Sequence, residues 1–214
     1  ELNSVKHMHL ENYFNISEER QWGMATLTRY PVVGKGRINF MGTYGNLCIY
    51  TDVTIGSDTV RIYNFHLQSI RFDHNDYKLM EDILERSEIE NLKKSRLLLE
   101  RMHDAWIKRA DQAKLVADHL KTCPYPIILC GDMNDVPVSY AYELMSDGLT
   151  NSFVCSGNGI GNTYAGMFPF LRIDNIFHSA ELESTGHTVY PFELSDHYAI
   201  GAQLTIKETD QAGN

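Results

Sequence analysis

The chain has 214 residues, 43% of them hydrophobic, and 19 Lys and Arg against 28 Asp and Glu give a formal net charge of −9 at pH 7. That is enough to bury a substantial core, while no apolar run reaches the length of a transmembrane span and no signal-peptide pattern occurs. The acidic balance argues against a non-specific grip on long duplex DNA, which needs clustered Lys and Arg, though carboxylates gathered at a metal site inflate the negative total.

Glu11, Glu18 and Glu19 lie in a polar opening stretch with no apolar run before them, so none reads as an acid at a strand end. Further on, Leu47, Ile49, Val53 and Ile55 alternate, Gly56-Ser57-Asp58 turns the chain, and Val60 and Ile62 resume the alternation toward Asn64 and His66. This predicts a hairpin that delivers His66 to a sheet edge. The block from Asp73 to Lys121 lacks Pro and Gly and is expected to be helical, with an insertion at about 73–101 overhanging the site. Lys93, Lys94, Arg96 and Arg101 read there as a solvated face with ordinary charge pairs rather than an anion-binding arm. Within the block, Trp106, Ala110, Ala113, Ala117 and Leu120 recur at helical steps, the stripe of a helix lying on a sheet.

Pro126-Ile127-Ile128-Leu129-Cys130 is a short apolar run, read as a strand buried on both faces, and Gly131-Asp132-Met133-Asn134 follows it directly. The glycine permits a sharp turn, and Asp132 and Asn134 then stand at the rim with hard oxygen ligands and an amide donor. Taken alone this is a polar loop with an Asx turn; an attacking water on a Mg²⁺-bound phosphate needs the same groups. Phe168-Pro169-Phe170-Leu171 reads as a packed loop rather than an apolar-substrate surface. Arg172-Ile173-Asp174-Asn175-Ile176-Phe177 is strand-like with one acid, which needs a partner; a histidine is the economical one. Ser195-Asp196-His197 supplies an imidazole able to trade a proton near neutral pH, and Ile200, Ala202, Leu204 and Ile206 alternate as the last strand. The 4 cysteines form no Cys-Xaa-Xaa-Cys pair, which argues against a zinc site.

Asn64-Phe65-His66-Leu67, Gly131-Asp132-Met133-Asn134, Ile173-Asp174-Asn175-Ile176-Phe177 and Ser195-Asp196-His197, with the earlier Gly23-Met24-Ala25-Thr26-Leu27-Thr28-Arg29-Tyr30-Pro31, resemble the motifs of the endonuclease/exonuclease/phosphatase superfamily in its own order. That superfamily holds metal-dependent phosphoesterases related to DNase I, AP endonucleases, inositol 5-phosphatases and neutral sphingomyelinases. The resemblance implies a four-layer α/β sandwich, two packed mixed sheets with helices outside, spanning residues 1–208 as one domain ahead of a 209–214 tail. It also implies hydrolysis of a phosphate ester with Mg²⁺ or Mn²⁺. Asp132 would align or deprotonate the attacking water, Asn134 would hold that water or the phosphate, and His66 and His197, the latter backed by Asp174, would donate to the phosphoryl oxygens. Asp132, Asn134 and Asp196 would hold the metal.

Phe65 and Asn175 depart from the family's Thr and Tyr. More consequentially, nothing in Glu1–Trp22 fits the family's opening strand, helix and Gln-Glu strand end, whose Glu is the principal metal ligand. The expectation is therefore an N-terminally incomplete domain that binds metal poorly, is nearly inactive alone and is prone to self-association. Related bacterial proteins carry signal or membrane elements upstream, which leaves the compartment open. The substrate is a nucleic acid, a lipid head group or a small molecule, and no protein partner is inferred. The rival reading is a binding module that kept the fold and lost catalysis.

Overall fold

The computed structural model describes residues 4–15, 21–70, 72, 76, 78, 92–166, 168, 170–192 and 194–208. Its first element pair is antiparallel: β1 (His7–Asn15) and β2 (Gln21–Thr28) run in register from His7↔Thr28 to Asn15↔Gln21. The sequence reading placed no strand ahead of Gly23. The reason is that this pair is amphipathic in the unusual sense: His9 and Thr26 are buried, while Met8, Leu10 and Leu27 are exposed. Glu11 lies inside β1 and pairs with Arg37 at 3.2 Å, so it is not a strand-end ligand; Glu18 and Glu19 lie outside the described residues.

β3 (Val32–Asn39), β4 (Leu47–Ile55) and β5 (Asp58–His66) follow as an antiparallel meander, and β4 and β5 turn at Gly56, whose φ is 63°. Helix α1 (Leu92–Leu120) then crosses over to β6 (Ile127–Asp132), which lies parallel to β5. The chain continues through α2 (Tyr140–Ser146), β7 (Thr150–Asn151), α3 (Ser152–Ser156), β8 (Asp174–His178), β9 (Leu182–Tyr190) and β10 (Ala199–Ile206). The central sheet has the order β3-β4-β5-β6-β8-β7, so the fold is mixed α/β with a mixed six-stranded sheet, as expected. Among the described residues the second layer is two separate antiparallel pairs, β1–β2 and β9–β10.

Strand alternation divides the sheet into two faces. On one face Cys48, Tyr63, Phe65, Leu129 and Phe177 pack with Ala113, Val116 and Leu120 of α1 and with Ala141 and Met145 of α2. On the other, Val53 and Val60 meet Leu182, with Ile62, Ile128 and Ile206 packed around them. β1–β2 covers that face farther along, where His9 Nδ1 lies 2.8 Å from Thr51 Oγ1 and Asn64 donates to the Ala25 carbonyl at 3.1 Å.

One helix expectation needs correction. The buried stripe of α1 runs through Ala105, Arg109, Gln112, Ala113, Val116, Ala117 and Leu120, and Trp106 is 46% exposed. Residues 92–101 form the first turns of α1, and apart from Asp76 and Lys78 the rest of the expected insertion, 73–91, lies outside the described residues. Ordinary charge pairs hold there: Arg96 pairs with Glu100 one turn on at 3.0 Å, and Arg101 pairs with the buried Asp76. The side chains of Lys93 and Lys94 are outside the description. Among the described residues no helix is long and apolar enough to cross a membrane. The cysteines are free thiols, Cys48 buried among the strands.

Candidate active site

Parallel pairing brings the ends of β5 and β6 to one rim, where His66 stands opposite Asp132. β8 runs antiparallel to β6 and begins at the same rim, so Asp174 stands opposite Asp132 on its other side. Gly131 makes the approach possible: its φ is 151°, and a Cβ there would collide with the Phe65 carbonyl oxygen. Asn134 adopts φ 51°, a conformation asparagine tolerates better than most residues. Its backbone N–H donates to Asp132 Oδ1 at 2.7 Å, and its Nδ2 donates to Asp132 Oδ2 at 2.8 Å and to the Leu67 carbonyl at 3.0 Å. That leaves Oδ1 as the Asn134 atom to face a ligand.

His197 arrives from the connection between β9 and β10. Nδ1–H donates to Asp174 Oδ2 at 2.9 Å, the pairing expected from sequence. A bridge to Tyr164 seats this loop: Tyr198 N–H donates to the Thr163 carbonyl at 2.7 Å, and Ala165 N–H donates to the Asp196 carbonyl at 2.8 Å. Thr163 Oγ1 in turn accepts from the Ile173 and Asp174 N–H groups, both at 3.0 Å, which fixes the start of β8. His66 Nδ1–H donates to the Gly45 carbonyl at 2.7 Å, which directs Nε2 toward Asp132 Oδ2 at 3.6 Å.

His66, Asp132, Asn134, Asp196 and His197 line one cleft of about 450 Å³, while Asp174 reaches it only through His197 and lines a neighbouring hollow. One ligand atom each from Asp132, Asp174 and His197 lies within 4.8 Å of the others. Asp196 is exposed at the mouth and stands outside that tight group. Burial, then the facing Asp174 charge, pushes the Asp132 carboxyl up to about 7, against the pull of His197 and the Asn134 N–H. The hydrogen bond to Asp174 holds His197 as an imidazolium, raised to about 9.

The sequence did not single out Trp22, Ile70, Phe72 or Tyr164, which also line the cleft. Trp22 directly precedes the Gly23 motif, the one available signal; the others depend on tertiary contacts. Phe168 and Leu171 line it too, whereas Phe170 is exposed, so the expected packed loop is only partly packed.

The family pattern described as Endonuclease/Exonuclease/phosphatase family matches residues 3–197. In sequence, no curated protein matches the chain. Among solved structures, an endonuclease/exonuclease/phosphatase family protein from Bacteroides thetaiotaomicron superimposes with a TM-score of 0.63 at 16% identity, covering 94% of this chain and 74% of its own. A mannosyl-6-phosphatase from Bacteroides thetaiotaomicron gives a TM-score of 0.60 at 17% identity, over 93% of this chain and 77% of its own. The human Nocturnin catalytic domain with bound sulfate anion gives 0.61 at 14%, over 94% and 72%. At these identities the likeness is one of fold.

Proposed function

The chain belongs to the endonuclease/exonuclease/phosphatase family, a family of phosphoesterase hydrolases, and from that premise we propose that it hydrolyses a phosphate ester with the help of a divalent cation. The observation that carries the reading is His197, held by Asp174 at 2.9 Å and facing Asp132 in one cleft.

The donor set fits a cation: two carboxylates face each other across β6 and β8, and their mutual repulsion helps to raise Asp132. Asp132 and Asn134, with Asp196 at the mouth, would hold Mg²⁺ or Mn²⁺. Once bound, the cation would neutralise phosphate charge and make a coordinated water more acidic. Asp132 aligns the attacking water and takes up its proton, and Asn134 Oδ1 keeps that water in line. His197, charged at neutral pH and fixed by Asp174, donates to a phosphoryl oxygen as negative charge develops; His66 does so across β6 when its Nε2 is protonated as well, and the ester oxygen released as its bond to phosphorus breaks takes a proton from solvent.

The lining supports a small or apolar ester over a long polyanion. Trp22, Phe72, Tyr164 and Phe168 offer aromatic surface to the cleft. The phosphorylated sugar implied by one neighbour's name fits such a site better than duplex DNA does. The test is a panel of phosphate monoesters and diesters, with Mg²⁺, Mn²⁺ or EDTA, on the wild type and on His197→Ala. Hydrolysis that needs metal and falls roughly 10²-fold or more in the variant supports the reading. Equal turnover in a folded His197→Ala protein would discard it.

A further inference from the structure

We infer that Arg109 is a positioning residue of this site: from α1 it locks the turn after His66 to the turn after Asn134. The clamp stands on geometry alone; its catalytic consequence rests on the phosphoesterase reading above.

Arg109 is 1% exposed and sits on the buried stripe of α1 between Ala105 and Ala113. Its guanidinium points in two directions. Nε donates to Asp135 Oδ2 at 2.9 Å, and Nη1 donates to the Gln68 carbonyl at 2.9 Å. On the same face of α1, Gln112 Oε1 accepts from Gln68 N–H at 2.8 Å, so α1 grips both polar atoms of that peptide residue. The two turns are also tied directly: Leu67 N–H donates to the Asp132 carbonyl at 3.0 Å, and Asn134 Nδ2 donates to the Leu67 carbonyl at 3.0 Å. Asn46 supplies a second donor to that carbonyl at 2.8 Å. Arg109 therefore spans the residue two places after His66 and the residue one place after Asn134.

Stability alone accounts poorly for a cation at this position. Burial opposes the charge on Arg109, and a well-packed hydrophobe in place of a buried ion pair is commonly as stabilising or more so. What a hydrophobe cannot do is hold two turns at a fixed separation by directional bonds from one rigid plane. Lysine has the charge but not the fork, so it can serve one turn and not both. Displacement of reacting groups by about 1 Å costs on the order of 10²-fold in rate, which is the scale on which such a lock would be felt.

The test uses the whole chain as Arg109→Lys, Arg109→Met and Asp135→Asn, with residue-resolved amide exchange and steady-state kinetics on each folded protein. We expect the Gln68 and Asn134 amides both to exchange at least about tenfold faster in Arg109→Met and at least one of them to do so in Arg109→Lys, while β9–β10 amides keep their protection. In Asp135→Asn the Asn134 amide should loosen and Gln68 should not. kcat should fall roughly 10- to 100-fold in Arg109→Lys with KM within about threefold. Unchanged exchange at both turns would overturn the clamp; loosened turns with wild-type kcat, or a rate loss equal to the unfolded fraction, would overturn its role in positioning the site. If the wild type hydrolyses no ester in the panel, the functional reading fails, and amide exchange still decides the clamp.

Discussion

His197 keeps its proton at neutral pH because Asp174 accepts from Nδ1, and this single pair bears on stability and, in the proposed reaction, on rate. Asp174→Asn preserves the shape and removes the charge. In an NMR titration of the metal-free chain the imidazole midpoint should drop from about 9 toward the ordinary 6.5. Turnover should fall roughly 10²-fold with substrate affinity little changed, since the carboxylate orients and charges the imidazole rather than touching substrate. A midpoint that stays high would show that Asp132 or Asp196 carries the effect. The sign of the stability term follows from a value raised in the folded state. The pair contributes in full below about 6.5 and its contribution fades as pH rises through about 9. Urea midpoints measured from pH 6 to above 9 should therefore converge for wild type and Asp174→Asn at the alkaline end. Gly131→Ala acts on the backbone instead. With φ at 151° and the Phe65 carbonyl in the path of a Cβ, it should cost about 1–3 kcal/mol or more in denaturant unfolding.

Elements whose inward side chains are apolar were legible in the sequence, and elements with polar inward faces were not. The β4–β5 hairpin, the buried β6 run and the final strand β10 alternate or persist as apolar runs, and chemistry-bearing residues stand at their ends, so His66, Asp132 and Asn134 could be placed on one rim. The Asp174–His197 pairing was legible because an acid in a strand needs a partner. β1–β2 turns His9 and Thr26 inward, and nothing in hydrophobic periodicity marks such a pair. In α1, Arg109 and Gln112 occupy stripe positions, so the apparent stripe shifted toward Trp106. The shift has a measurable consequence. Trp106→Gln should change unfolding free energy by no more than about 0.5 kcal/mol, as an exposed site. Ala113→Leu, at a fully buried position between α1 and the sheet, should cost about 1–3 kcal/mol by overpacking. Equal effects at the two positions would refute the assignment of the buried face.

At the scale of the molecule, the cleft is assembled by every layer. The central sheet supplies His66 and Asp132 and, behind His197, its partner Asp174; the β9–β10 connection supplies Asp196 and His197, and β2 supplies Trp22. Seating of the two outer strand pairs is thus part of forming the site. β1–β2 is tied down by polar contacts, His9 with Thr51, Arg37 with Glu11 and Asn64 with Ala25, while Met8, Leu10 and Leu27 face outward. Met8 and Leu27 pair across the strands at 54% and 49% exposure, with Leu10 beside them at 49%. Exposed apolar side chains clustered in this way favour contact with another copy, because burying them in a partner removes hydrocarbon from water. Sedimentation velocity of the chain should therefore show concentration-dependent association. Leu10→Lys places a cation in the middle of the face and should return the protein to monomer, with a melting temperature equal to that of the wild type at concentrations low enough for both to be monomeric, since that side chain is not part of either core cluster. A wild type that stays monomeric at every concentration, or a Leu10→Lys variant that associates equally well, would remove this face from consideration.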